Sequence, residues 1–146
     1  MADIPRISPQ EASERLAQGW TYIDVRTPQE FEAGHPAGAV NVPSSLLAGG
    51  GMVPNADFVP VMEALYGKDA KLVLGCKTGV RSMKAAQMLA AAGFTSIVDQ
   101  RAGWAGARSP FGQLVEAGWE GAGLPSEKGT PEGRSWADLQ KRSGRG

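Results

Sequence analysis

The sequence predicts an α/β fold, in which helices cover both sides of a central parallel sheet, and three observations carry that prediction. Helix-start signals alternate with β-branched or apolar runs from Ser8 to Asp99, the order produced by successive strand–helix–strand units. Leu72-Val73-Leu74 is apolar on both of its alternating faces, as expected of a strand buried between two helical layers. Ser82 to Ala92 carries Met83, Ala86, Met88, Leu89 and Ala90, ends at Gly93, and leads into the strand candidate Ser96 to Asp99, a helix returning the chain to the sheet.

The elements follow in chain order. Ser8-Pro9-Gln10-Glu11 holds a capping box with proline at the first helical position, so a short helix runs to about Gln18. Gly19 separates it from Trp20 to Val25, a β-branched and aromatic strand. Thr27-Pro28-Gln29-Glu30 repeats the start signal for a helix ending near Gly34, and Gly38 to Pro43 reads as a brief strand closed by proline. Gly49-Gly50-Gly51 predicts a mobile surface loop, because consecutive glycines carry a high ordering entropy. Phe58, Val61, Met62 and Leu65 mark a helix over Asp57 to Leu65, with Pro60 tolerated in its first turn. Beyond Asp99 the pattern weakens, and the expectation is a loop followed by a short helix around Phe111 to Ala117. Ser135 to Lys141 adds one or two helical turns, and the last few residues are expected to fray.

The 146 residues suffice for one domain with a sizeable core. Fifteen basic residues balance fifteen acidic ones, which argues against a general attraction to nucleic acid and leaves any anion site to local charge. One cysteine and one histidine exclude an intramolecular disulfide and offer no Cys/His cluster for a structural zinc. The N-terminal stretch has no apolar signal core and no run approaches a membrane span, so the expectation is a cytoplasmic protein with no membrane partner.

The chemistry concentrates at Cys76. The strand candidate Leu72 to Gly75 delivers this thiol to the loop Cys76-Lys77-Thr78-Gly79-Val80-Arg81, which opens directly into the helix beginning near Ser82. A thiolate is the nucleophilic form, and a thiol pKa falls from about 8.5 at a helix N-terminus or beside Lys or Arg. Both influences are available here. Gly79 permits the positive φ that lets a loop curl around a sulfur, Thr78 offers a further hydrogen bond, and Lys77 and Arg81 offer charge to an anionic substrate.

The chain resembles the rhodanese-like domains. The resemblance rests on Tyr22-Ile23-Asp24-Val25-Arg26 followed by Glu30-Phe31, on Gly34-His35-Pro36-Ala37-Gly38-Ala39-Val40-Asn41-Val42-Pro43, and on Cys76 through Ser82, supported by Gly93-Phe94 and Gly123-Leu124-Pro125. It implies a rhodanese-like three-layer α/β/α sandwich around a central parallel sheet over residues 1–125, with an insertion near 105–118. Residues 126–146 form a C-terminal extension with one short helix. It further implies a sulfurtransferase in which Cys76 accepts a sulfane sulfur from thiosulfate or another persulfide donor and passes it, as a persulfide, to cyanide or a thiol. Main-chain amides of Lys77, Thr78, Gly79, Val80 and Arg81 would wrap the outer sulfur, and no metal or organic cofactor is required. Because no second cysteine resolves the persulfide, the acceptor is an external thiol or protein.

The residues near this loop have structural readings of their own. Asp24 and Arg26 end a strand, where an internal ion pair or turn-fixing hydrogen bonds are expected. His35 reads as a turn histidine bonded to backbone, Trp104 and Trp119 as core packing, and Lys84 and Arg101 as solvated surface charges. Pro36 stands where the family pattern has a branched apolar residue, and Arg101-Ala102-Gly103-Trp104 where it has a glycine pair and tryptophan. A cysteine phosphatase or arsenate reductase is the alternative enzyme, but the loop counts six residues from Cys76 to Arg81, against seven in phosphatase-like relatives. No assignable general acid accompanies it. A non-catalytic sulfur-relay module is the remaining alternative.

Overall fold

The computed structural model describes residues 3–144; the fraying expected at the terminus falls partly on Arg145 and Gly146, which lie outside them. Five parallel strands form the central sheet: β1 (Arg6–Ile7), β2 (Thr21–Asp24), β4 (Val40–Asn41), β7 (Leu72–Gly75) and β8 (Ile97–Gln100), in the order β1-β8-β7-β2-β4. Strand β7 is therefore central, and Leu72, Val73 and Leu74 are all fully buried. Each such aliphatic side chain contributes about 1.5–3 kcal/mol relative to exposure.

The alternation along the strands divides the core into two layers. On one face Ile23, Leu72 and Leu74 meet Phe58, Val61 and Met62 of α3 (Phe58–Leu65), Ala85, Ala86 and Leu89 of α4 (Val80–Ala91), and Leu139 of α5 (Trp136–Arg142). On the other, Tyr22, Val73 and Val98 meet Ala12 of α1 (Pro9–Ala17) and Phe31 of α2 (Pro28–Ala33), with Trp119. This is the three-layer sandwich that the sequence predicts. Both capping boxes form, Ser8 with Glu11 and Thr27 with Glu30, so the start signals act locally, by satisfying orphan amides.

Three expectations are corrected. Phe111 to Ala117 holds no helix; β9 (Ala107–Arg108) and β10 (Leu114–Glu116) form an antiparallel hairpin, with Phe111 and Gly112 in its connection. Leu114-Val115-Glu116 has no helical period to support a helix, and the chain satisfies its backbone by pairing instead. The triple glycine is also part of a hairpin. β5 (Ser45–Ala48) pairs with β6 (Gly51–Pro54), and Gly49 and Gly50, at φ of 59° and 83°, form the turn that this twist requires. Finally, α4 begins at Val80, two residues before the expected start, so Arg81 belongs to its first turn.

Residues 126–144 return to the domain. β11 (Ser126–Glu127) pairs antiparallel with β3 (His35–Pro36), and α5, capped by Ser135, buries Trp136 and Leu139 in the core.

Candidate active site at the carboxyl edge of the sheet

Cys76 lies one residue past the end of the central strand, where all the parallel strands deliver their connections to one edge. The thiol is 2% exposed. The Gly79 amide donates to its Sγ at 3.1 Å, and the thiol donates to Ser82 Oγ at 3.3 Å. Gly79 is the N-cap of α4, so its amide points at the sulfur from the positive end of a helix twelve residues long.

The loop is held from outside. Trp104 N–H donates to the Cys76 carbonyl at 2.8 Å and Ala105 N–H to that of Lys77 at 2.9 Å. Arg6 donates to the Gly79 carbonyl at 2.8 Å and, through Nε, to Asp99 Oδ2 at 2.8 Å. Gly79 has φ of 91°, and a Cβ there would collide with the Arg101 carbonyl oxygen. The glycine therefore answers both a left-handed backbone and a close chain approach.

The predicted site residues divide into distinct groups. Lys77 and Val80 are exposed, Val80 at 74%, and Thr78 is half-buried beside them. Arg81 pairs with Glu30 of α2, with Nη1 and Nη2 at 2.8 and 3.0 Å from its two carboxylate oxygens. Burial alone would raise the Glu30 carboxyl, but Arg81 and the Thr27 amide outweigh it and hold it down at about 2. In return Glu30 raises the Arg81 guanidinium further.

Asp24 and Arg26 form a buried ion pair beside this edge, closed at 2.6 Å, and Arg26 also donates to the Gly34 carbonyl and lies over the Trp104 ring. His35 is fully buried, stacks on Phe31, and places Nδ1 at 2.6 Å from the Phe31 carbonyl and Nε2 at 3.0 Å from Glu127. Trp119 is buried against Tyr22, and Trp104 packs closely over Gly34. Arg101 pairs with Glu116 of β10; Lys84 is exposed.

Sequence reasoning assigns no role at the thiol to Ser82, Asp99 or Arg6, and does not pair Glu30 with Arg81. Ser82 directly follows the loop and is legible as a hydroxyl at a helix start, whereas Arg6 and Asp99 meet only because β1 joins the sheet next to β8. Burial raises the Asp99 carboxyl, an effect that Ser82 and Arg6 partly offset. Among the described residues, no group of three His, Cys, Asp or Glu side chains could hold a metal ion.

A thiol delivered to the carboxyl edge of a parallel sheet and met by a helix amide stands where open α/β sheets bind ligands and where a helix start receives negative charge. The chain belongs to the rhodanese-like domain family, which it matches over residues 8–109. It is 36% identical over 116 residues to "Thiosulfate sulfurtransferase 16, chloroplastic" of Arabidopsis thaliana, covering 80% of this chain and 87% of that one. It is 39% identical over 104 residues to "Senescence-associated protein DIN1" of Raphanus sativus, covering 70% of this chain. The chain spans only 57% of that protein's length. Among solved structures, the crystal structure of Rv0390 from M. tuberculosis superposes with a TM-score of 0.72 at 25% identity, over 88% of this chain and all of that one. The family and the fold agree with the resemblance read from the motifs. Among the described residues, no helix is long and apolar enough to cross a membrane.

Proposed function

We propose that the protein is a sulfurtransferase that carries sulfur as a Cys76 persulfide. The observation that carries this reading is the Gly79 amide donating to Sγ at the start of α4, because an amide and a helix start aimed at the sulfur are placed to meet the negative charge that moves through it during sulfur transfer. The Cys76 thiolate attacks the outer sulfur of thiosulfate; a new S–S bond forms, the donor's S–S bond breaks, and sulfite leaves with the electron pair. An acceptor thiolate or cyanide then attacks the outer sulfur of the persulfide, and Cys76 leaves as thiolate. Loop amides at the helix start stabilise the negative charge on the transferred sulfur.

The short loop and the likeness to a relative named as a thiosulfate sulfurtransferase, that of Arabidopsis thaliana, support sulfur over phosphate. Lys77, exposed beside Cys76 and free of an acidic partner among the described residues, supplies the cation that meets an incoming anion. Arg81 contributes through its pair with Glu30, by tying α4 to α2.

The test is intact mass before and after thiosulfate. A gain of one sulfur, about 32 Da, that is lost with reductant and absent in Cys76→Ser supports the reading. A protein that never gains sulfur but releases phosphate from a phosphoester overturns it.

A further inference from the structure

Three connections at the carboxyl edge of the sheet differ in kind: the cysteine loop follows β7, the β5–β6 hairpin follows β4, and the β9–β10 hairpin follows β8. In the strand order, β8 and β4 stand three positions apart with β7 between them, a separation of about 14 Å at the usual strand spacing. The two connections thus leave the sheet on opposite sides of β7, the strand that leads to Cys76. Met52 Sδ lies 3.7 Å from Arg81 Nη1, and Trp104 and Ala105, at the base of the other hairpin, are hydrogen-bonded to the loop carbonyls.

Both hairpins present apolar side chains to solvent. Leu47 and Met52 are 52% and 50% exposed on one; Phe111, Leu114 and Val115 are 92%, 52% and 66% exposed on the other. Isolated exposed apolar residues need no explanation, but clusters on the connections either side of β7 mark a recognition surface. Between the β5–β6 hairpin and α4 runs a groove of about 300 Å³, lined by Ser44, Pro54, Val80, Lys84 and Met88 among others.

The cysteine loop, α4 and β9 each carry a cation without an acidic partner among the described residues: Lys77, Lys84 and Arg108, all exposed. The acids beside them are already engaged, Glu30 by Arg81 and Glu116 by Arg101. The exposed Glu120 lies near the foot of the β9–β10 hairpin, on the side of Gly34, its amide donating to the Trp104 carbonyl at 3.3 Å.

We propose that the two hairpins form a docking cleft for a reduced protein acceptor, whose thiol sits on a projecting loop among apolar and acidic side chains. The proposal rests on the reading of Cys76 as a sulfur carrier. The exposed apolar side chains of the two hairpins would bury those of a docked loop, and the cations Lys77, Lys84 and Arg108 would select acidic ones. The acceptor thiolate attacks the outer persulfide sulfur, the Cys76–S bond breaks, and the sulfur departs as the partner's persulfide.

The experiment uses matched synthetic cysteine peptides: acidic and apolar, basic and apolar, and acidic and polar. Binding is read by fluorescence anisotropy with serine in place of the peptide cysteine, and sulfur transfer from persulfidated protein by mass. The acidic, apolar peptide is expected to bind about tenfold tighter than either control. That preference should fall about tenfold in Phe111→Ser/Val115→Ser, in Arg108→Glu and, on the opposite hairpin, in Leu47→Ser. Thiosulfate:cyanide turnover should stay unchanged in all of them, which shows that the variants fold. Equal binding of all peptides, or preference that survives every variant, overturns the proposal. So does a concentration-dependent dimer that Phe111→Ser abolishes, since a second copy then occupies the cleft. Selective binding without persulfide formation would instead overturn the function of Cys76 and leave the surface standing.

Discussion

At Gly79 a single atom's absence serves three requirements: a φ of 91°, an approach of the Arg101 carbonyl, and an amide aimed at the thiol. Gly79→Ala is expected to cost about 1–3 kcal/mol in stability, from the left-handed backbone and the steric conflict together, and to reduce persulfide formation sharply. Urea unfolding and the thiosulfate mass shift measure the two effects. Ser82, fully buried, stands 3.3 Å from the thiol, and its removal takes away one hydrogen bond at the sulfur. When the sulfur carries the charge the Ser82 hydroxyl can turn and donate to it, so Ser82→Ala should lower the rate of persulfide formation about five- to tenfold while the fold persists, as one bond of about 1–1.5 kcal/mol implies. Stopped-flow persulfidation with near-unchanged circular dichroism would bear this out, and an unchanged rate would remove Ser82 from the site. The residues of the loop itself are readable from Cys76 to Arg81, because strand, glycine and helix start are local. The direction of the Arg81 side chain is not, since Glu30 lies 51 positions away in the chain and only packing brings it near.

The Glu30–Arg81 pair joins two elements, α2 and α4. The Glu30 carboxyl sits at about 2 in the folded protein against an ordinary 4.5. A depressed carboxyl stabilises the fold fully above the unfolded value, and that contribution fades as pH falls from about 4.5 towards 2, to a total of roughly 2–3 kcal/mol. Glu30→Gln should therefore be less stable than wild type at pH 6, and the difference should narrow on acidification through that window. Thermal unfolding of both proteins across the range checks this; a difference independent of pH would remove the ion pair as its cause. The start signals of α1 and α2 are legible because Ser8, Thr27 and their glutamates act within one turn. The β9–β10 hairpin is not, because its strands, of two and three residues, are too short to show a period and exist only through each other.

The whole molecule closes through its C-terminal residues. Glu127 reaches His35 and, with Arg134, bridges β11 to the strand that follows α2, and Arg134 holds its carboxyl at about 2. Leu139 is fully buried with Phe58, Val61 and Met62, so Leu139→Ala is expected to lower stability by about 2–5 kcal/mol. Denaturant midpoints would register that loss, and a change under about 0.5 kcal/mol would mean that α5 does not belong to the cooperative core. Taken by itself, the sequence determined the layered α/β order, the central place of Leu72 to Gly75 and the strand–loop–helix that carries Cys76, because local periodicity, capping and turn chemistry specify each within a few residues. It also carried the family, through motifs spread along the chain. The tertiary structure alone decided that Arg81 faces Glu30, that Arg6 and Asp99 support Gly79, that Trp136 and Leu139 belong to the core, and that hairpins with exposed apolar side chains follow β4 and β8. These are pairings between distant positions, where burial and charge choose among partners that no local pattern distinguishes.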